Sequence, residues 1–238
     1  MWEQPRLRSK FKITPEDMSK AVITLKGTAF EYTGDEITPA VVKLAIVNGD
    51  NTEILTDLTL FDVKYEDNVN AGTAKVYVSA GKNANFTGTA EGSFEITRKS
   101  IAGAVVSTGD VTYTGKAVVP EVKAVIGDKE LVNGTDYTVI VSESVDAGTA
   151  ECTITGKGNY EGVIKHTFEI KARSIADGEC SIPSQVYTGY AITPDVKLVV
   201  DGVALKEGTD YTVTYTDNKD VTSDDKKATA VIKAMGNY

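Results

Sequence analysis

The phrase Gly-Thr-Asp-Tyr-Thr-Val at residues 134–139 recurs unchanged at 208–213, and it decides the fold. From the tyrosine onward, apolar and polar residues alternate in both copies, which is the period of a half-buried β-strand. A divergent first copy begins at Phe61, with Asp62 and Val63 after it. Self-similarity at a near-constant spacing indicates a tandem array of like units. The chain is therefore predicted to contain three repeats.

Other landmarks recur in the same order around this phrase. A Tyr-Thr-Gly tripeptide precedes it in each repeat, with a proline five residues after each glycine, and an Asn-aromatic pair follows it. The tripeptides begin at Tyr32, Tyr113 and Tyr187, the pairs lie at 85–86, 159–160 and 237–238, and Phe-x-Ile closes two repeats at 94–96 and 168–170. The first repeat carries extra residues around Asn48-Gly49, which predicts a longer hairpin there.

These strand patterns predict an all-β fold of three tandem immunoglobulin-like β-sandwich domains in an extended array. Residues 1–13 form an N-terminal arm or strand, 14–97 the first repeat, 98–171 the second, and 172–238 the third, which lacks its last strand. The joints between repeats are short, charged and free of glycine, so we expect a slightly flexible rod. Its length should be on the order of 100 to 120 Å, from strands of roughly 33 Å each.

The composition excludes several classes of function. Lys plus Arg number 25 against 34 Asp plus Glu, a net charge of −9, which argues against nucleic acid and anionic lipid as partners. A single histidine, His166, and two cysteines leave too few groups for most catalytic or zinc sites. No apolar run is long enough to predict membrane insertion. We therefore expect a non-enzymatic protein without cofactors.

The order of these motifs resembles that of the bacterial immunoglobulin-like repeats of the MBG type, which occur in tandem in large surface and adhesin-like proteins. The second repeat is the most similar, through its Tyr-Thr-Gly at 113–115, Ala-Gly-Thr-Ala at 147–150 and Gly-Lys-Gly-Asn-Tyr at 156–160. The resemblance implies a fold and a presentation role on a bacterial surface. It implies no catalytic residues, because such repeats carry no general active site.

A few side chains are candidates for chemistry or for the core. The acidic loop of the third repeat is a weak calcium candidate, since its oxygens suit calcium but its spacing matches no recognised calcium loop. Its carboxylates are Asp217, Asp220, Asp224 and Asp225. The tyrosines of the three Tyr-Thr-Gly motifs are expected in the core, with the glycine supplying a turn. Cys152 and Cys180 are expected to be buried and unpaired, because each replaces an apolar residue of the repeat pattern.

The N-terminal arm is basic in an otherwise acidic chain and is a candidate docking arm. Its candidate residues are Trp2, Arg6, Arg8, Lys10, Phe11 and Lys12. Residues 10–13 also match the closing Phe-x-Ile strands, whereas the third repeat stops at Tyr238 before any such strand. Two interpretations follow: residues beyond Tyr238 complete the third repeat, or residues 7–13 of one copy enter the third repeat of another, head to tail.

Three functions fit these features. The first is an extracellular spacer or adhesin stalk on a bacterial cell surface, facing a protein or glycan partner. The second is a tailed-phage virion accessory protein, in which immunoglobulin-like domains decorate a capsid or tail and place the chain on the virion surface. The third is an accessory module of a carbohydrate-active enzyme. The genes beside this one would discriminate among them.

Overall fold

The computed structural model describes residues 7–223 and 226–238, and these contain strands and turns with no helix. The first ten strands are β1 (Glu16–Asp17), β2 (Val22–Leu25), β3 (Ala29–Glu31), β4 (Val41–Asn48), β5 (Asn51–Leu55), β6 (Asp62–Glu66), β7 (Gly72–Ser79), β8 (Phe86–Thr87), β9 (Thr89–Thr97) and β10 (Lys99–Ser100). The next eight are β11 (Val105–Thr108), β12 (Val111–Thr112), β13 (Val122–Ile126), β14 (Lys129–Glu130), β15 (Tyr137–Val141), β16 (Gly148–Gly156), β17 (Tyr160–Glu161) and β18 (Val163–Lys171). The last five are β19 (Glu179–Ser181), β20 (Lys197–Val200), β21 (Val203–Ala204), β22 (Tyr211–Thr216) and β23 (Thr229–Ala234). The predicted all-β class is confirmed.

The chain forms two compact units. Unit 1 comprises Met1–Ser100 together with Gly156–Glu161, and unit 2 comprises Ile101–Thr155 together with Gly162–Tyr238. The loop Gly156–Glu161, which connects β16 to β18 in sequence, thus belongs to unit 1.

Unit 1 is sandwich-like. One sheet has the order β2-β4-β5, and the other has the order β3-β9-β7-β6, with β3 parallel to β9 and the remaining pairs antiparallel. Alternate side chains of β7 point into the core, where Ala74, Val76 and Val78 have no exposed surface. These residues belong to the period-two pattern, and their burial explains why it is apolar. The core cluster between the sheets joins Leu44 and Ile46 to Val78 and Ala90.

The insertion in the first repeat extends one hairpin, as predicted. Strands β4 and β5 pair antiparallel from Leu44 opposite Leu55 to Asn48 opposite Asn51, and Gly49 takes a positive φ of 61° in the turn. Glycine suits that turn, because a left-handed backbone is strained for residues with a Cβ.

Unit 2 contains the same sheet pattern once in full and once in part. The second repeat has a sheet of order β11-β13-β14 and another of order β12-β18-β16-β15. The third repeat has the sheet β19-β20-β21 but only the pair β22-β23 on the other side. Within residues 7–223 and 226–238, no strand pairs with the free edge of β23, where β9 and β18 pair in the other repeats.

This free edge changes burial in the third repeat. The sequence pattern matches Ala228, Ala230 and Ile232 to the buried positions of β7. In the structure Ala228 is exposed and the other two are half-buried. Inward-facing positions of a strand are buried only when the rest of the sheet is present beside them.

Candidate functional site

Two of the three Asn-aromatic pairs, at 159–160 and 237–238, form contacts between repeats, which we call repeat junctions. In unit 1 the Asn159 side chain contacts the turn before β7. Its Oδ1 accepts a 2.8 Å hydrogen bond from the backbone N–H of Ala71, and its Nδ2 donates a 2.9 Å bond to Asn70 Oδ1. Its backbone carbonyl accepts from the N–H of Lys99 at 2.9 Å. One asparagine of the second repeat thus contacts both the turn before β7 in the first repeat and Lys99 at the joint between the two repeats.

Unit 2 repeats this geometry one repeat later. Asn237 Oδ1 accepts a 2.7 Å hydrogen bond from the N–H of Ala147, and its Nδ2 donates a 2.9 Å bond to Asp146 Oδ1. The Asn237 carbonyl accepts from the N–H of Arg173 at 2.9 Å. Asparagine suits this position because its amide both donates and accepts.

An aromatic pair accompanies each asparagine. The rings of Tyr32 and Tyr160 meet edge to face in unit 1, with centroids 5.5 Å apart and an interplanar angle of 79°. In unit 2 Tyr113 and Tyr238 meet with centroids 5.5 Å apart at 76°. Such pairs contribute about 0.5 to 1.5 kcal/mol beyond the apolar area that they bury. Tyr32 and Tyr113, the tyrosines of the first two Tyr-Thr-Gly motifs, therefore each contact an aromatic ring of the next repeat.

The glycines of the Tyr-Thr-Gly motifs supply turns, as predicted, with φ of 96° at Gly34, 77° at Gly115 and 83° at Gly189. The tyrosines differ from one another. Tyr32 is buried at 7% exposure and Tyr113 is half-buried, but Tyr187 is 57% exposed. The prediction that Tyr187 lies in the core is wrong, because no aromatic side chain of a further repeat and no closing strand cover it within the described residues.

A groove of about 300 Å³ opens beside Tyr187. Its lining includes Pro194, Tyr215, Ala228 and Ala230. Tyr215 donates its hydroxyl hydrogen to the Pro194 carbonyl at 2.5 Å, as Tyr65 does to Pro39 in the first repeat. Tyr215 and Tyr65 are therefore equivalent residues of the third and first repeats. The groove lies beside Tyr215, whereas the equivalent space beside Tyr65 in unit 1 is filled.

Of the weak calcium candidates, Asp217 and Asp220 lie among the described residues, and both line one small surface hollow. Asp217 has a positive φ of 54° and lies 3.5 Å from the ammonium of Lys226. Asp220 is exposed, and Asp224 and Asp225 lie outside the described residues. Among residues 7–223 and 226–238, no group of three or more histidine, cysteine or carboxylate side chains could hold a metal ion.

The candidate docking arm forms no strand or turn over its described part, residues 7–13. Phe11 and Ile13 are 85% and 82% exposed, and Arg8, Lys10 and Lys12 are exposed as well. Trp2 and Arg6 lie outside the described residues. Apolar side chains at alternate positions of this arm thus lie in water.

The two thiols have different environments. Cys152 is free and buried, as predicted, and burial raises the pKa of its thiol. Cys180 is free but exposed, so the prediction of its burial is wrong. It lies opposite Leu198 in the strand pairing, as Ile23 lies opposite Leu44 in the first repeat. Ile23 is covered by β9, because a Cβ on Gly92 would come within 3.3 Å of it, and no strand takes that place among the described residues of the third repeat.

Sequence reasoning recognised the Asn-aromatic landmark but missed its role. The available signal was the pairing of that landmark with an Asn-Ala-Gly or Asp-Ala-Gly turn in the preceding repeat, at 70–72 and 146–148. Both turns require glycine, since Gly72 and Gly148 have φ of 138° and 132°.

No helix in the described part of the chain has the length and apolar character needed to span a membrane. Searches of family models, curated proteins and solved structures found no significant match to this chain.

Proposed function

We propose that the chain is a non-enzymatic array of three immunoglobulin-like domains that acts as a spacer or adhesin stalk on the outside of a bacterial cell. Its partner would be a protein or glycan surface held away from the cell. The observation that carries this proposal is the repeat junction, which has the same asparagine and tyrosine contacts in both units. Repeated contacts of this kind favour a fixed orientation between neighbouring repeats, which a spacer requires.

The composition of the surface supports the same proposal. The net charge of −9 favours solubility and disfavours binding to anionic polymers. The buried groups are mainly apolar, since Asn68 is the single buried polar residue among those described. It donates to the Ile37 carbonyl at 3.1 Å, which is a structural role.

Small-angle X-ray scattering tests the extended form that the spacer function needs. A compact chain of this length would have a radius of gyration of about 18 Å, whereas a rod about 100 Å long would have about 30 Å. We expect the larger value. The double variant Asn159→Ala and Asn237→Ala should broaden the distance distribution, whereas Asn133→Ala, at an exposed turn, should not. A compact radius for the unaltered chain would contradict the proposal.

A further inference from the structure

The groove in the third repeat has the form of an empty strand position. In unit 1, β9 pairs with β7, and its inward residues are Ala90, Gly92, Phe94 and Ile96, opposite Val78, Val76, Ala74 and Gly72. The Phe94 ring contacts Tyr65 at a centroid distance of 6.2 Å. Tyr215 is the counterpart of Tyr65, since both donate to the carbonyl of the landmark proline. The groove beside Tyr215 is therefore where a phenylalanine of a closing strand would lie.

Several neighbouring groups are uncovered at this same position. Ala228, Tyr187 and Cys180 are all exposed, although their counterparts in the first repeat are buried or half-buried. The residues before Tyr187 form no strand, whereas β3 pairs with β9 in the first repeat. In the first repeat β9 lies beside these counterparts, and no strand takes its place among the described residues of the third repeat.

The N-terminal arm has the side-chain order of that strand. Leu7, Ser9, Phe11 and Ile13 occur at the same alternate positions as Ala90, Gly92, Phe94 and Ile96. The second repeat has Ile164, His166, Phe168 and Ile170 there. Phe94 and Phe168 each lie opposite an alanine, and Phe11 has the matching place in the arm. Leu7, Phe11 and Ile13 are exposed in this chain and would be buried in the groove.

The number of residues from the arm to the start of the first repeat also equals the number from each closing strand to the start of the following repeat. From Phe94 to the joint residue Lys99 there are five residues, and the same separation links Phe168 to Arg173. Lys99 and Arg173 each donate their N–H to the carbonyl of a landmark asparagine. Glu16 follows Phe11 by the same five residues and donates its N–H to the Asn85 carbonyl at 2.9 Å. The arm therefore has the same position in the sequence relative to the first repeat as β9 has relative to the second.

Asn85 of the first repeat and the turn at Asp220 of the third repeat are a second pair of groups that would meet if the arm of one copy filled the groove of another. The Asn85 side chain is exposed, whereas Asn159 and Asn237 bind an Asn-Ala or Asp-Ala turn. The third repeat has Asp220 and Val221 at the position of these turns, next to the exposed Tyr187. A copy whose arm filled the groove would bring Asn85 to Asp220 as the existing junctions bring asparagine to Asp146.

From these matches we infer that residues 7–13 of one copy add a strand to the free edge of β23 in a second copy, with Phe11 against Tyr215. The backbone groups of the edge supply hydrogen bonds, and the alternate side chains supply register. The contact is heterologous, so it joins copies head to tail. It rests on the described segments and does not depend on the proposed spacer function.

The exposed thiol of Cys180 provides a direct measurement. The 238-residue chain is treated with iodoacetamide from low to high micromolar concentration, and alkylation of each cysteine is followed by mass spectrometry. We expect Cys180 to be protected about tenfold when nine-tenths of the sites are filled. Cys152, which is buried within the second repeat, serves as the internal reference. Sedimentation velocity should show larger species over the same concentration range.

The arm variant Phe11→Asp should remain monomeric and keep Cys180 reactive at all concentrations, because a charged residue would enter an apolar groove. Phe11 is exposed, so the substitution should leave the fold and its circular dichroism unchanged. Val119→Asp changes another exposed apolar residue by the same chemistry and should associate normally. A synthetic peptide of residues 7–13 should protect Cys180 of the Phe11→Asp chain.

Three results would overturn the inference. The first is a monomer at every concentration with Cys180 equally reactive in the unaltered and Phe11→Asp chains. The second is protection of Cys180 that does not vary with concentration, which would assign the groove to the chain's own arm. The third is association that Phe11→Asp leaves unchanged, which would place the contact elsewhere.

Discussion

Asn159 and Asn237 make the same pair of side-chain hydrogen bonds, but the acceptor of the Nδ2 bond differs between them. Asn159 donates to the amide oxygen of Asn70, whereas Asn237 donates to the carboxylate of Asp146. We therefore expect the two junctions to respond differently when a negative charge is placed at the asparagine.

The first prediction uses that difference. Asn237→Asp places a second carboxylate against Asp146 and should destabilise unit 2, whereas Asn159→Asp faces an amide that can turn to donate. We expect a loss of about 1 to 3 kcal/mol in the first case and less in the second. Thermal unfolding at neutral pH measures both. Acidification that protonates one carboxyl group should recover part of the loss in Asn237→Asp, and equal losses in the two variants would contradict this account.

The second prediction concerns alkaline pH. Tyr137 is buried and donates its hydroxyl hydrogen to the Val122 carbonyl at 2.7 Å, and burial raises its pKa above the ordinary value. A raised pKa in the folded state means that the folded form holds its proton longer than the unfolded form. Its contribution is therefore fully present below about pH 10, the ordinary value for tyrosine, and is lost as pH rises further.

Tyr137→Phe should remove part of this alkaline loss. At neutral pH the variant should be less stable by about 0.5 to 1.5 kcal/mol, because a buried hydrogen bond is lost. Urea unfolding at a series of pH values measures both effects. Tyr190→Phe, at an exposed position, is the control and should leave the alkaline slope unchanged. An identical alkaline slope in Tyr137→Phe and the unaltered chain would show that Tyr137 does not contribute.

The third prediction concerns the loop that presents Asn159. A Cβ on Gly156 would lie 2.7 Å from the Cα of Glu161, which is backbone and cannot turn aside. Gly156→Ala should therefore widen the loop, weaken the junction in unit 1 and lower the melting temperature. Gly103→Ala is the matched control, since a Cβ there meets nothing within 4 Å and neither glycine has a positive φ. It should be neutral or stabilise by about 0.4 to 1 kcal/mol.

The fourth prediction concerns the thiols of the dilute chain. Cys180 should react with a maleimide rapidly, and Cys152 should react only after denaturation, because burial removes access and raises its pKa. Peptide mapping by mass spectrometry assigns each rate. Rapid labelling of Cys152 in the folded chain would show that the second repeat opens readily.

The amino-acid sequence by itself determined the all-β class and the alternation that marks its strands. The positions of Tyr137 and Tyr211 in the repeated phrase predicted buried strand residues, and both are buried in the structure. The extra residues around Asn48 predicted a longer hairpin, which β4 and β5 form. These features are local, because alternation and turn residues act over a few neighbours along the chain.

Only the tertiary structure decided which equivalent residues are covered. Tyr32 and Tyr187 occupy the same place in the repeat, yet one is buried and the other is exposed. Cys180 has the strand position of Ile23, but no strand in the described part of the chain covers it as β9 covers Ile23. Likewise, the sequence did not predict the hydrogen bond between the side chain of Asn159 and the backbone of Ala71, which is 88 residues away along the chain. Burial and junction contacts depend on segments distant in sequence, so a repeat motif fixes the position of a side chain but not its surroundings.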